Sequence, residues 1–544
     1  MARWRWHFAA FFVYSAEAWL FLGHGASLTK NILGSGSDPT LIMWFLSYWP
    51  WAFTHHVASL HTHLMWQPVG LNLAWTTCVP LLALLALPIT LLGGPVRAFN
   101  LLTLAAPVLA ALAAYLLCLE LFEVPVAALI GGWLFGFSSY EGAQSFDHLN
   151  LDFTVLIPLV LLVVLRRVGG KMRRPATVFW LGVLLAGEFL ISDEILATLA
   201  MFGGLAFLLG YWMLPERRAG LSALAVDVAL AAPVALLLSA PILYAMLTGP
   251  YDVAHPAKWS YLFSTDLLNF FVPTPGAAFG GALFAPITQS FSGGLDEQAG
   301  YLGLPATVLL IVAARVFWQN RIYRLLFVML GIVLVASLGP ELLVAGHKTG
   351  IILPWALLLH LPLLGAALPA RCMLYASLIA AIIVAGWVAA NARRPRLIAA
   401  TFVCVSLMPV AHPVSKAPVS AFFEPGRVQA VLGQNPRLLI LPFGIAGPSS
   451  YWQAENGFGF SQVGGYLGFP PVEMQAYPAV PQLFSNTFLP GFTADFVKFC
   501  RQTGVQYVIA GPGTVPGEWA TLQALDWRAQ KIDDVTVFTV PPHG

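Results

Sequence analysis

The sequence predicts an α-helical polytopic membrane protein, with about eleven crossings plus partial or re-entrant helices, that ends in a small exterior α/β domain. Three observations predict this. Only 10% of the 544 residues are charged while 58% are hydrophobic. Apolar runs of spanning length recur from residue 8 to residue 413, and beyond about 415 they give way to shorter, strand-like runs. A water-soluble domain carries about 25% charged residues. So few charges cannot cover a water-facing surface of this size, and lipid is the natural solvent.

The net charge of +2 points to neither nucleic acid nor acidic partners. No basic patch interleaved with aromatics suggests nucleic-acid binding. Cys78, Cys118, Cys372, Cys404 and Cys500 are scattered, without CxxC or metal spacing, which argues against a disulfide framework or a zinc site. The N-terminus reads MARWRWH and then runs apolar from Phe8 to Leu22 without a small-residue cleavage site, so it is read as a retained first span.

A spanning helix needs about 20 mostly apolar residues. Twelve segments approach this: 8–24, 79–93, 98–119, 124–138, 153–165, 176–191, 195–213, 221–247, 303–314, 325–338, 372–391 and 397–413. Short cytoplasmic loops retain Lys and Arg. Fifteen such residues, at Arg3/Arg5, Arg166–Arg174, Arg217/Arg218, Arg315–Arg324 and Arg393–Arg396, mark that side. Lys30, Arg97, Lys258, Lys348 and Arg371 fall on the other. The N-terminus and the 166–174 loop then share a side, so one of the five segments between them does not cross. Segment 79–93, short and carrying Pro80 and Pro88, is assigned to the interface or to a re-entrant turn, with 124–138 as the alternative.

This reading leaves the N-terminus in the cytoplasm and four regions outside: 25 to 97 (or to 78), 139–152, 248–302 and 340–371. The last contains an apolar stretch, 353–364, flanked by Pro354 and Pro362, read as a further re-entrant element of the kind allowed only where protein or water satisfies the backbone. The membrane domain covers 1–414. Residues 415–544 form the exterior domain, in which RLLILPF (437–443), VQYVIAG (505–511) and VTVFTVP (535–541) read as buried strands. ADFVKFCRQTG (494–504) reads as a helix that stops at Gly504 and feeds a strand.

The residues that can carry chemistry gather on the exterior side. Asp38, in GSGSDPT, precedes the helix-like TLIMWFLSYWPWAF (40–53). Trp44, Tyr48, Trp49 and Trp51 suit a helix lying at the membrane surface with its rings among headgroups. Asp38 is either the cap of that helix, a role Asp favours, or a functional acid. The loop SSYEGAQSFDHLNLDF supplies Glu141, Asp147, His148 and Asp152, and Asp193–Glu194 follow Glu188 in a tight exterior turn. A charge inside a span costs about 2.5–3.5 kcal/mol at the helix centre. Glu17 and Glu188 are therefore candidates to face a polar cavity, with interfacial water as the alternative. Three separate loops thus carry acids to one face. His55, His56, His61 and His63 look like a metal cluster but lack an HExxH-type pattern. His347, Lys348 and Arg371 are placed to bind a lipid phosphate or simply to touch headgroups.

The order of these parts resembles the GT-C superfamily of polytopic glycosyltransferases, which use polyprenyl-phosphate-linked sugars. A first span is followed by an exterior acid and a surface helix. Then come further spans, an acidic second exterior loop, a long exterior loop after the seventh crossing and a terminal exterior domain. SDPTLIMWFLSYWPWA, MWQPVGLNLAW, LFGFSSYEGAQSFDHLNLDF and LPWALLLHLPLLGAALPARC also resemble bacterial membrane proteins described as glycosyltransferase-like. The resemblance covers most of the chain.

It implies a place in the bacterial inner membrane and inverting transfer from a polyprenyl-phosphate sugar to a glycan, lipid or protein acceptor of the envelope. Asp38 matches the superfamily's first-loop catalytic acid, and Asp147 or Asp152 its second-loop acid. In some members the second-loop acid binds a divalent metal, so Asp147 and Asp152 are the candidate ligands for Mg or Mn. Glu141, His148, Asp193, Glu194, His347, Lys348 and Arg371 are then candidates for substrate contact. The chemistry is coherent: a carboxylate takes the proton of an attacking sugar hydroxyl, and cationic groups at the membrane surface stabilise the departing lipid phosphate. No Rossmann or P-loop fingerprint is present. Two other readings stand beside this one: a transporter or lipid-handling protein, for which Glu17, Glu188 and the re-entrant elements speak, and a scaffold whose exterior domain binds envelope partners.

Overall fold

In the computed structural model, which describes residues 2–57, 59–250, 259–361 and 364–541, all twelve apolar segments are helical over most of their length. Lys258, Pro362 and the side chain of Arg3 lie outside the described residues. Among the described residues, five stretches are long and apolar enough to cross a membrane: Pro80–Phe122, Leu149–Val168, Asp193–Met213, Pro215–Leu238 and Pro369–Ala389. Segment 79–93, expected in the interface or as a re-entrant turn, is regular helix and runs into 98–119. Gly94 breaks the run with φ 80° and ψ 168°, a conformation that glycine adopts without strain.

The chain divides into two units. The first comprises Met1–Ala26, Asn100–Ser239 and Pro256–Val414; the second comprises Ser27–Phe99, Ala240–His255 and Ser415–Gly544. Residues 415–544 therefore share a unit with most of the first exterior region.

The first unit is a helical bundle around Met373–Ala389, which is buried along almost all of its length. Its neighbour Pro125–Gly136 packs closely on several helices because two glycines face them, Gly131 toward Cys118 and Ala385 and Gly132 toward Tyr14, Ala111 and Tyr115. A Cβ on Gly131 would meet Cys118 Sγ at 2.6 Å and Ala385 Cβ at 3.0 Å, and one on Gly132 would meet the Tyr14 hydroxyl at 2.3 Å. Small residues at such positions let helices pack where the hydrophobic effect gives no drive, as in lipid. By contrast, Asp193–Met213 and Arg218–Leu238 expose Leu208, Trp212, Leu236 and Leu237, the surface a spanning helix shows to acyl chains. The region 340–371 begins with an antiparallel hairpin of Glu341–Val344 and His347–Ile352. The expected re-entrant stretch is, as far as it is described, the 3-10 turn Pro354–His360.

The second unit is built on a five-stranded sheet. In chain order its strands are β1 (Arg437–Leu441), β2 (Ser461–Gln462), β3 (Tyr507–Ala510), β4 (Ala529–Ile532) and β5 (Val535–Thr539), arranged β4-β5-β3-β1-β2. β1 lies parallel to both β2 and β3, while β5 pairs antiparallel with β3. The unbroken apolar run of β1 fits a strand covered on both faces. The helix Phe492–Gln502 ends before Gly504, whose φ of 70° turns the chain into β3.

The helix Asp38–Thr54 belongs to this unit, and two of its aromatics, Trp44 and Tyr48, are core rather than headgroup anchors, while Trp49 and Trp51 are half-buried. Trp44 and Tyr48 are fully buried and stacked at 4.6 Å, and the Trp44 indole N–H donates to Gln453 Oε1 at 2.8 Å. A ring with one polar atom suits either a headgroup layer or a core that supplies an acceptor, and Gln453 supplies it here.

Candidate functional site

In the first unit Ser138 caps the short helix Ser139–Gln144, its hydroxyl accepting from the Glu141 N–H at 3.3 Å. The helix ends after one and a half turns, and the chain bends through Asp147 and His148 before resuming at Leu149–Asp152. This bend meets the long 248–302 loop, where the Gln144 amide donates to the Asp296 carbonyl at 2.8 Å. Asp147, His148 and Asp296 then converge, with one ligand atom from each within 4.8 Å of the others. His148 Nδ1 lies 3.2 Å from Asp147 Oδ1. Burial pushes the Asp296 carboxyl up from its ordinary pKa, and the facing His148 counteracts this. Two carboxylates and an imidazole are a donor set that hard divalent ions such as Mg or Mn and borderline ions such as Zn accept. These three are the only such group among the described residues. The four histidines at 55, 56, 61 and 63 do not form one.

Asp152, expected as a partner of Asp147 in metal binding and as a second catalytic acid, is elsewhere. It is 0% exposed and sits against Glu141, itself 1% exposed. The Thr154 hydroxyl donates to Glu141 Oε1. Glu141 Oε2 and both Asp152 oxygens have no hydrogen-bond donor. Burial first, and then the neighbouring Asp152, raise the Glu141 pKa well above the carboxylate range. The two carboxyls lie buried beside each other, apart from the Asp147–His148–Asp296 group, and burial favours the neutral form of Glu141.

A second departure concerns Arg371. Expected to bind a lipid phosphate, its guanidinium is already engaged by Glu194 and by Glu297, the Nε–Oε1 distance to Glu297 being 2.9 Å. Glu194 also accepts from the Leu368 N–H at 2.8 Å. Both side chains are engaged with each other and remain partly exposed, at 17% and 19%. Because Glu297 adjoins Asp296, the arginine instead secures the loop that delivers Asp296. Asp193 is exposed in the first turn of its helix and accepts from the Glu194 N–H at 2.9 Å. His347 and Lys348 stand on an exposed strand, with the Lys348 ammonium 5.5 Å from the centre of the Tyr261 ring.

Asp38 belongs to the second unit, where it is half-buried at the start of its helix; Ser37, not Asp38, is the N-cap. The Tyr466 hydroxyl donates to Asp38 Oδ1 at 2.8 Å, and Ser450 holds Tyr466 in turn through its main chain.

Asp296, Glu297, His412 and Tyr466 escaped the sequence reading. Asp296 and Glu297 lie in GGLDEQAG, a plain glycine-rich loop by composition. His412 is buried, with Nε2 2.9 Å from Ser145 Oγ and 2.8 Å from the Gly142 carbonyl, and burial lowers its pKa. It braces the 139–147 turn from below.

The architecture is that of known enzymes. The structure is similar to a mycobacterial arabinofuranosyltransferase, AftD, with a TM-score of 0.56 at 14% identity over 99% of this chain and 40% of that one. It is also similar to an oligosaccharyltransferase from Archaeoglobus fulgidus in its apo form, with a TM-score of 0.53 at 13% identity over 93% and 69% of the two chains. At such identities the likeness shows the fold, which is GT-C-like. The chain spans only about 40% of the arabinofuranosyltransferase's length. No curated protein matches the sequence. The profile of a domain of unknown function, DUF6311, matches residues 36–410, most of the chain, and the protein belongs to that family.

Proposed function

We propose that this protein is a membrane glycosyltransferase that moves a sugar from a polyprenyl-phosphate carrier to an envelope acceptor on the extracytoplasmic face, with inversion. The observation that carries the reading is the convergence of Asp147, His148 and Asp296 on the loops of a GT-C-like fold. In this reading the three side chains hold a divalent cation, Mg or Mn, which when bound neutralises charge on the leaving phosphate. The acids expected at 147 and 152 thus divide: Asp147 binds, and Asp152 with Glu141 supports. The basic loops lie in the cytoplasm and the chain crosses eleven times, as the charge pattern requires.

Asp38 is proposed as the base that takes the acceptor hydroxyl's proton. The hydrogen bond donated by Tyr466 fixes the orientation of its carboxyl group.

The test is Asp147→Asn in full-length protein, assayed for release of lipid phosphate and for envelope glycans by mass spectrometry. Loss of a ligand is expected to lower turnover by roughly 10²-fold or more with folding intact. Wild-type glycans from a well-expressed Asp147→Asn strain would remove the cluster from catalysis. Asp38→Asn, judged in the same way, tests the base separately.

A further inference from the structure

The second unit contains a cavity that the proposed chemistry does not use. It has a volume of about 630 Å³ and lies among His63, Gln67, Asn435, Arg437, Ser461 and Gln506. Sites for small ligands typically measure about 300–1,000 Å³. It opens at the amino ends of β1, β2 and β3, where Arg437, Ser461 and Gln506 stand. Open α/β sheets ordinarily bind ligands at the opposite, carboxyl ends. One wall is segment 64–67, laid along the edge of β2: the Gln462 N–H donates to the Leu64 carbonyl at 2.8 Å and the Gln67 N–H to the Gln462 carbonyl at 2.9 Å.

The lining has a definite chemistry. It contains one guanidinium, one imidazole, three carboxamides and a hydroxyl, and no carboxylate. Arg437 is held in place. Its Nη1 donates to the Thr503 carbonyl at 2.9 Å, and its main-chain N–H donates to Gln506 Oε1 at 2.8 Å. Gly504 leaves room for it, since a Cβ there would stand 2.7 Å from Nη1. Edges of the largely buried Phe458 and Phe460 rings supply the apolar part of the wall. Asn435 and Phe458 adopt left-handed backbone, with φ of 47° and 62°. Such strained non-glycine residues gather at ligand clamps.

We infer that this cavity binds an acidic saccharide residue, its carboxylate on Arg437 and its hydroxyls on the amides and Ser461. A single planar guanidinium matches a single carboxylate in bidentate fashion. A polyanionic phosphate group would call for more positive charge than one arginine. Neutral amides and a hydroxyl beside apolar ring carbons suit a sugar's hydroxyls and its C–H groups. As the holder of a glycan acceptor, the site rests on the glycosyl-transfer reading; as a binding site it does not.

The test is saturation-transfer NMR on the full-length protein in nanodiscs with D-glucuronate, D-glucose and inorganic phosphate as probes. Glucuronate is expected to bind saturably and at least tenfold more tightly than glucose or phosphate. Arg437→Gln is expected to weaken it at least tenfold. Asn435→Asp, which tolerates the same left-handed backbone, introduces a facing carboxylate. It is expected to weaken glucuronate at least tenfold more than it weakens glucose, and it decides the matter should Arg437→Gln fail to fold. Asp147→Asn is expected to bind glucuronate like the wild type, which separates this site from the transfer reaction. Equal binding of glucuronate and glucose, phosphate binding as tight as glucuronate, or indifference to Asn435→Asp overturns the inference.

Discussion

The span Leu149–Val168 joins two differently charged regions of the first unit. At its far end Arg167 and Arg174 grip the fully buried Asp227, while Arg166 and Lys171 hold Glu120. Four cations there serve two carboxylates. At its near end Glu141, Asp147, Asp152, Glu194, Asp296 and Glu297 share one arginine and one histidine. The asymmetry separates scaffolding from function. Surplus lysines and arginines cost little, because their long stems carry the charge to water. Surplus carboxylates on short side chains cannot do this. Each needs a proton, a metal or a substrate cation, or the fold loses free energy. A region that keeps six acids therefore keeps them for a ligand or a proton.

The largest effect expected from this contrast is at Arg371. Arg371→Met leaves Glu194 and Glu297 buried without a counter-charge. Breaking a buried pair in this way costs about 3–5 kcal/mol. The expected outcome is a large fall in apparent melting temperature in detergent, partly recovered when Glu194→Gln and Glu297→Gln are added. A stable Arg371→Met protein contradicts the role given to the triad. Asp227→Asn, at the other end, is expected to cost less, about 1–2 kcal/mol, because Arg174 is 53% exposed and Arg167, at 17%, keeps the Met172 carbonyl as an acceptor. If Asp227→Asn proves more damaging than Arg371→Met under identical conditions, the contrast between the two ends is broken.

How far these regions could be read in the sequence depends on range. The basic end was legible in the 166–174 run, because charge clusters between apolar segments are local signals. Asp147 and His148 were legible for the same reason, as polar residues wedged between two spans. Asp296 was not, since nothing within GGLDEQAG announces a partner some 150 positions earlier. Arg371 was seen as a membrane-facing cation because its two acids come from distant segments. The hairpin at 341–352 was hidden by its turn. Ala345 and Gly346 both have positive φ, 51° and 77°, where Asn-Gly would have been the recognisable pair. Trp44 and Tyr48 were assigned to the wrong surroundings, since amphipathic rings serve headgroup layer and core alike. Asp38 was found, but the tyrosine that holds it lies 428 positions away.

The smallest effect expected is a pH dependence carried by Glu141. Its carboxyl faces Asp152 and Thr154, and Tyr140 lies within its field. Burial raises its folded pKa above the unfolded value, so the folded protein binds this proton more tightly. The resulting stability is complete below the ordinary carboxylate range and is lost as pH climbs toward the raised folded value. Glu141→Gln has no proton to lose. Near pH 5 the variant and the wild type should melt at similar temperatures. Above neutrality the variant should gain on the wild type by about 1 °C per kcal/mol of lost proton linkage. The same scan on Glu120→Gln, whose carboxylate is paired with Arg166 and Lys171, should show no such gain at high pH, because that acid is already ionised with its counter-charges in place. A flat difference between Glu141→Gln and wild type from pH 5 to 9 would mean that the Glu141–Asp152 pair holds no proton, and the acidic end would then need a bound cation at a second place.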